Sequence, residues 1–187
     1  SAASDVYKRQ AEKLGIPCYD SELIQKIAEE SGFAENYVKE AGEYTPGGFL
    51  ASALSNRAFG PTNEDILWEI QCRVISELAE KGPCVIVGRC ADYVLRDDPN
   101  VALVNLFVHA PLAARIRRES ARTNTTPAEA EKRIRQVDKE RAAYYNFFSS
   151  KRWGDAQAYD LCVNTDGLEI SEVAKLVLRY LELRGLR

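Results

Sequence analysis

The stretch Cys84-Val85-Ile86-Val87-Gly88-Arg89-Cys90-Ala91-Asp92-Tyr93 decides how this chain is read. Its first four residues are apolar and lie between Gly82-Pro83 and Gly88, which predicts a short buried strand over 84–87. An arginine at the end of such a strand needs an anionic partner, either a ligand phosphate or an internal carboxylate such as Asp92. Ligands of open α/β sheets lie beyond the carboxyl ends of the strands, so Gly88-Arg89 marks one rim of a candidate site.

Working outward, a helix through Tyr7 to Leu14 is ended by Gly15 and leads into a strand over Ile16 to Tyr19. Helical spacing recurs over Ser21 to Glu30 and Ala34 to Glu40, with Gly32 and Gly42 as stops. Pro46-Gly47-Gly48 and Gly60-Pro61 mark 44–62 as a long mobile connection. The next helix starts near Thr62-Asn63, aligns Ile66, Leu67, Ile70, Val74, Ile75 and Leu78 on one face, and stops at Gly82. Beyond the decisive stretch come a strand over Ala102 to Val108 and a helix opened by Pro111. Thr126-Pro127-Ala128-Glu129 is a capping-box start for a long helix through Arg141 toward Phe148. A strand over Tyr159 to Val163 and a helix over Ile170 to Leu183 follow. Strands separated by helices predict a single α/β domain over 1–187 with a mainly parallel sheet.

Composition narrows the function classes. With 187 residues, 45% apolar and 28% charged, the chain suits one globular domain. No apolar run approaches the ~20 residues of a membrane span, and no signal-like N-terminus is present, so a cytoplasmic location without membrane partners is expected. Five cysteines without C-x-x-C spacing argue against a disulfide framework or zinc site and for reduced core residues. His109 is the only histidine, which leaves little material for a histidine triad or metal cluster; no metal ligands are expected, and His109 reads as a strand-end residue.

The net charge of −3 hides a segregation. Residues 20–81 hold twelve Asp/Glu against five Lys/Arg, whereas 110–152 hold eleven Lys/Arg against five Asp/Glu. A basic segment in an acidic chain points to a local anionic ligand rather than a nucleic-acid polymer. Arg115, Arg118 and Arg122 share a helix face by spacing, as a multidentate phosphate clamp requires, and Arg133, Arg135 and Arg141 line the next helix. Phosphoryl transfer relies on positioning and charge neutralisation by arginines and Mg²⁺, so the missing triad is no objection. Pairing with Glu119, Glu129 and Glu131 along the helices accounts for some of these arginines. Asp20 and Ser21, after the first strand, are either rim residues or the N-cap of the next helix. Tyr144, Tyr145, Phe147, Phe148 and Trp153 either stack bases or pack a lid on the body, packing being the more frequent use.

In order along the chain, "AEKLGIPCYDSELI", "ELAEKGPCVIVGRCADYVL", "FVHAPLAARIRR", "RIRQVDKERAAYYNFF" and "WGDAQAYDLCVNT" resemble the cytidylate kinase-like family of P-loop nucleoside monophosphate kinases over about residues 11–183. The resemblance implies a P-loop NTPase-type parallel sheet flanked by helices, with a helical lid over 111–158 and an acceptor-nucleotide region over 21–62. It implies transfer of the γ-phosphoryl of ATP, with Mg²⁺, to CMP or dCMP. It places Asp20, Ser21 and Lys26 at the acceptor nucleotide, Lys26 replacing an arginine. It places Arg89 and Asp92 beside them, with Cys90 where the family has an aspartate that reads ribose or base. It makes Arg115 and Arg118 lid-flanking contacts to ATP phosphates, and Arg135, Asp138 and Arg141 the lid motif. The family's first, central strand and its glycine-rich loop have no counterpart in Ser1 to Gln10, which contain no glycine. Residues 1–10 are therefore expected to be foreign or truncated, and this chain to be impaired as a kinase. Two other readings stay open, a non-catalytic nucleotide-binding or regulatory module and a kinase for another small phosphate acceptor.

Overall fold

The computed structural model describes residues 2–33, 35, 38, 39 and 63–186. Within them the elements run α1 (Ala2–Leu14), β1 (Cys18–Tyr19), α2 (Ser21–Ser31), α3 (Asn63–Glu80), β2 (Val85–Ile86), α4 (Ala91–Leu95) and β3 (Leu106–His109). There follow α5 (Leu112–Thr123), α6 (Pro127–Ser149), a 3-10 turn (Ala156–Ala158), β4 (Leu161–Asn164) and α7 (Ile170–Leu183). The helix expected over Ala34 to Glu40, apart from Glu35, Val38 and Lys39, and the connection expected over 44–62 lie outside the described residues.

The chain is a mostly helical α/β fold, and its helix boundaries follow local chemistry. Gly32 takes the left-handed conformation (φ 71°) and its N–H reaches the Ala28 carbonyl at 3.0 Å, closing α2. The capping box at Thr126 forms: its hydroxyl accepts from the Glu129 N–H, while the Glu129 carboxylate accepts from the Thr126 N–H at 2.9 Å. The Thr126 hydroxyl also donates to the Glu129 carboxylate, at 2.7 Å, and this bond together with the one from the Thr126 N–H holds the Glu129 carboxyl below the usual range. α4 lacks a sequence counterpart because five residues are too few to show a periodicity.

The strands are parallel, as expected, but they form two pairs rather than one sheet. β1 pairs with β2 in the register Cys18↔Val85 and Tyr19↔Ile86, and β3 pairs with β4 from Leu106↔Leu161 to His109↔Asn164. Among the described residues no strand joins β2 to β3. The apolar run 102–108 becomes strand only from Leu106, where β4 supplies a partner. A cavity of about 1440 Å³ separates the two pairs, with 84–88 on one wall and 102–109 on the other.

Each half-sheet has its own core. Leu23, Ile27, Val74, Ile75 and Leu78 pack α2 and α3 around the β1–β2 side. Val6, Val163 and Val173 do the same for α1, β4 and α7. Helix α1 reaches across: the Tyr7 hydroxyl donates to the Leu106 carbonyl at 3.2 Å. The carbonyls of Asn105 and His109 accept from the amides of Leu161 and Thr165, so by strand alternation Leu106 presents its carbonyl to the cavity edge. Tyr7 thus occupies a position that a neighbouring strand would fill, and burial pushes its hydroxyl pKa up to about 12.

The capping box should anchor the N-terminal end of the 23-residue α6. Thr126→Ala should lower stability by about 1 kcal/mol in urea denaturation, with an unchanged denaturant slope.

Candidate functional site

The turn after β2 holds, among the described residues, three successive positive-φ positions. Gly88, Arg89 and Cys90 are consecutive left-handed residues, with φ of 71°, 58° and 54°. For the two non-glycine residues this conformation costs roughly 1–2 kcal/mol each, so it persists only where the surroundings enforce it. The enforcement is visible. Gln71, on the buried face of α3, donates from Nε2 to the Arg89 carbonyl at 3.0 Å and to the Tyr144 hydroxyl at 2.9 Å. Its Oε1 faces Arg89 Nη1 at 3.5 Å, and the same Nη1 donates to the Val38 carbonyl at 3.1 Å. Arg89 is buried to 7% exposure.

Asp92 begins one turn further on, and its Oδ2 accepts from the Tyr145 hydroxyl at 2.6 Å. Tyr144 and Tyr145 leave α6 side by side, so that helix meets both the Arg89 turn and the first turn of α4. Burial raises the pKa of both hydroxyls; for Tyr145 the bond to Asp92 adds to the effect. Burial also raises the Cys90 thiol. The remaining rings pack: Trp68 stacks on Phe148 at 3.9 Å between centroids, Tyr144 lies 4.8 Å from Phe148, and Trp153 meets Phe107 edge-on. Their observed contacts therefore favour packing over base stacking.

On the far wall the arginines divide. Arg115 forms a bidentate pair with Asp138, Nη1–Oδ2 2.6 Å and Nη2–Oδ1 2.7 Å, which clamps α5 to α6. Arg122 lies on Glu119 and Arg135 on Glu131 within their own helices, as pairing along the helices predicted, whereas Arg133 reaches Glu119 from the neighbouring helix. Arg118 is exposed and, among the described residues, no ion pair holds it.

The cavity gathers Asp20, Arg89, Asp92, Arg115, Arg118, Asp138 and Arg141. Asp20 sits at the N-cap position of α2 without a side-chain capping bond and lies 3.7 Å from Lys8 Nζ. Ser21 opens α2, Lys26 is half-buried along it outside the cavity lining, and Arg135 is exposed on α6. His109 ends β3, where its carbonyl accepts from the Thr165 N–H at 2.8 Å. The sequence reading passed over Gln71 and assigned no polar role to Tyr144 and Tyr145. Gln71 had a signal: it is the one amide set among Leu67, Val74, Ile75 and Leu78 on the buried face of α3.

Among the described residues no group of three or more His, Cys, Asp or Glu could hold a metal ion. No described helix is long and apolar enough to cross a membrane. A strand-end turn, basic residues from a helix pair and acidic residues such as Asp20 and Asp92 thus line one cavity of an α/β fold, the kind of place where such folds bind ligands. The sequence profile of the cytidylate kinase-like family matches residues 1–167, and the chain belongs to that family. The cytidylate kinase of Methanobrevibacter smithii is 27% identical over 175 residues, spanning 92% of this chain and 88% of the relative. That of Methanopyrus kandleri is 27% identical over 173 residues, spanning 88% and 79%. The crystal structure of an uncharacterized protein from Eubacterium ventriosum shares the fold, with a TM-score of 0.69 at 24% identity, over 95% of this chain and 89% of that one.

Raised tyrosine pKa values set an alkaline limit. Tyr7, Tyr144 and Tyr145 titrate higher folded than unfolded, so their contribution to stability is complete below the unfolded value of about 10 and is lost as pH rises through the folded values. In an alkaline titration the ultraviolet phenolate signal of these three should appear only together with loss of helical circular dichroism. Full ionisation of all nine tyrosines with the helices intact would contradict the burial.

Proposed function

We propose that this chain carries the acceptor side and the lid of an ATP-dependent nucleoside monophosphate kinase, whose acceptor is CMP or dCMP. The observation that carries the reading is the convergence of Arg89, Arg115, Arg118 and Arg141 on one cavity beyond the carboxyl ends of β2 and β3. Arg122, paired with Glu119, lines the same cavity, and guanidinium groups gathered in this way suit the bidentate recognition of nucleotide phosphates. Family membership and the distant cytidylate kinase relatives support the same class.

In this reading an oxygen of the acceptor's phosphate attacks the γ-phosphorus of Mg·ATP. The bond to the β–γ bridging oxygen breaks, giving ADP and a nucleoside diphosphate. An acceptor phosphate already ionised at neutral pH needs no catalytic base. Asp20, Ser21, Lys26, Arg89 and Asp92 hold the acceptor, while Arg115, Arg118 and Arg141 neutralise charge as it moves between the nucleotides. Asp138 keeps the Arg115 fork oriented until a phosphate takes its place, since carboxylate and phosphate offer the same bidentate geometry. Arg135 and Asp138 belong to the helix that closes over both nucleotides and excludes water. Mg²⁺ enters with ATP, as part of that substrate.

One part of the machinery lacks a source in these residues. A glycine-rich loop ahead of a helix would supply the N–H groups that cradle ATP phosphates, and no glycine precedes Gly15. Among the described residues no strand fills the gap between β2 and β3, where the resemblance puts the family's central strand. The second reading, a module that binds nucleotide without transferring phosphate, draws on this same observation. Cys90, in place of an aspartate, keeps a third reading in view, a different small phosphate acceptor.

A phosphotransfer assay with Mg·ATP and CMP, dCMP, UMP and AMP tests all three. The 187-residue chain should turn over far below the roughly 1–100 per second of kinases. Grafting a strand and glycine-rich loop ahead of α1 should restore CMP-selective diphosphate formation. Activity at the usual kinase rate without the graft would overturn the impairment, and inactivity of a folded graft on all four acceptors would overturn the kinase reading.

A further inference from the structure

We propose that Gln71 is the positioning residue of this site, holding the Arg89 turn in shape and tying it to α6. The inference rests on the reading of Arg89 as an acceptor-phosphate contact. Gln71 is 3% exposed and lies in the apolar register of α3, four residues after Leu67 and three before Val74. A buried amide there is destabilising unless its polar atoms are satisfied, whereas an apolar side chain would stabilise the helix packing. Here the satisfaction is specific. One N–H goes to the Arg89 carbonyl, the other to the Tyr144 hydroxyl, and the oxygen faces the Arg89 guanidinium. Rotating the amide by half a turn would set its N–H groups against the guanidinium and its oxygen against the Arg89 carbonyl, so the network fixes its orientation.

A single planar group therefore grips Arg89 at both its backbone and its side chain. This grip bears on a turn whose left-handed φ values need outside support. The third bond adds direction. Tyr144 is on α6, three residues after Arg141, which lines the cavity. Movement of α6 toward the phosphates carries the Tyr144 hydroxyl with it, and through the Gln71 amide it presses on the Arg89 carbonyl. Closure of the basic helix and the shape of the acceptor-side turn thus become one event.

The test compares Gln71→Met, Tyr144→Phe and the double variant. Maleimide labelling of the buried Cys90, mapped by peptide mass, reads the turn; Cys162, half-buried on β4, is the reference thiol away from the turn. Gln71→Met should speed Cys90 labelling by about tenfold with Cys162 changed less than about twofold, and adding Tyr144→Phe should produce little further change, the signature of residues acting through one network. The CMP dissociation constant measured by calorimetry should rise by about tenfold in Gln71→Met. Unchanged Cys90 labelling, labelling that rises equally at Cys162, or independent effects of the two substitutions overturn the proposal. So does unchanged CMP affinity in Gln71→Met when the parent chain binds. A parent chain that binds no nucleoside monophosphate while the labelling pattern holds overturns the acceptor reading and leaves the linkage of turn and helix standing.

Discussion

The half-buried strand β2 leads into three consecutive left-handed residues, a tight turn closed locally by the Ala91 N–H on the Gly88 carbonyl at 3.1 Å and held from outside as well. The restraint comes from α3 through Gln71 and from α6 through Tyr144, with Tyr145 fastening Asp92 just beyond. Much of the arrangement follows from it. α6 has to lie against the β2 side of the molecule, and Arg141 then lines the cavity while Arg133 and Arg135 stay on the exposed face of the helix. Asp138 receives the Arg115 fork because the same helix also packs on α5. The site is thus assembled from two structural halves that meet through side chains across a cavity, without a ladder of strand hydrogen bonds between them.

That division gives the molecule an uneven internal economy of order. The β1–β2 half rests on a continuous apolar core with α2 and α3. The β3–β4 half rests on the contact of α1 with α7 and on a smaller valine cluster. Helix α1 joins them: it also packs beside β1 and β2, and its Tyr7 hydroxyl bonds the edge of β3 where a strand would place a row of peptide groups. Charge is distributed along the same line: acidic residues dominate 20–81, basic residues 110–152, and the cavity lies where the two meet.

How much of this the sequence carried depended on range. Periodicity and punctuation placed α3, α7 and the capping box of α6 well, because those features are written in neighbouring residues. The strand at 84–87 and its terminal arginine were legible for the same reason. Pairing was not: nothing in the run 102–108 says that only its last part finds a partner in β4, and the split into two half-sheets is a long-range property. The arginines were legible as a group, yet which of them line the cavity, Arg89, Arg115, Arg118, Arg122 and Arg141, and which stay outside it, Arg133 and Arg135, depends on helix packing. Gln71 was the clearest omission, since a lone amide on an apolar helix face calls for a buried partner, and the partner was 18 residues away.

The central claim is that the space between the half-sheets, beyond β2 and β3, receives phosphorylated nucleotide. Titrating the ¹⁵N-labelled chain with CMP and following amide chemical shifts tests it most directly. The account predicts saturable shifts centred on Gly88 to Asp92 and Asp20, extending to Arg115 and Arg141. No saturable shift, or shifts centred on residues away from the cavity, would contradict it.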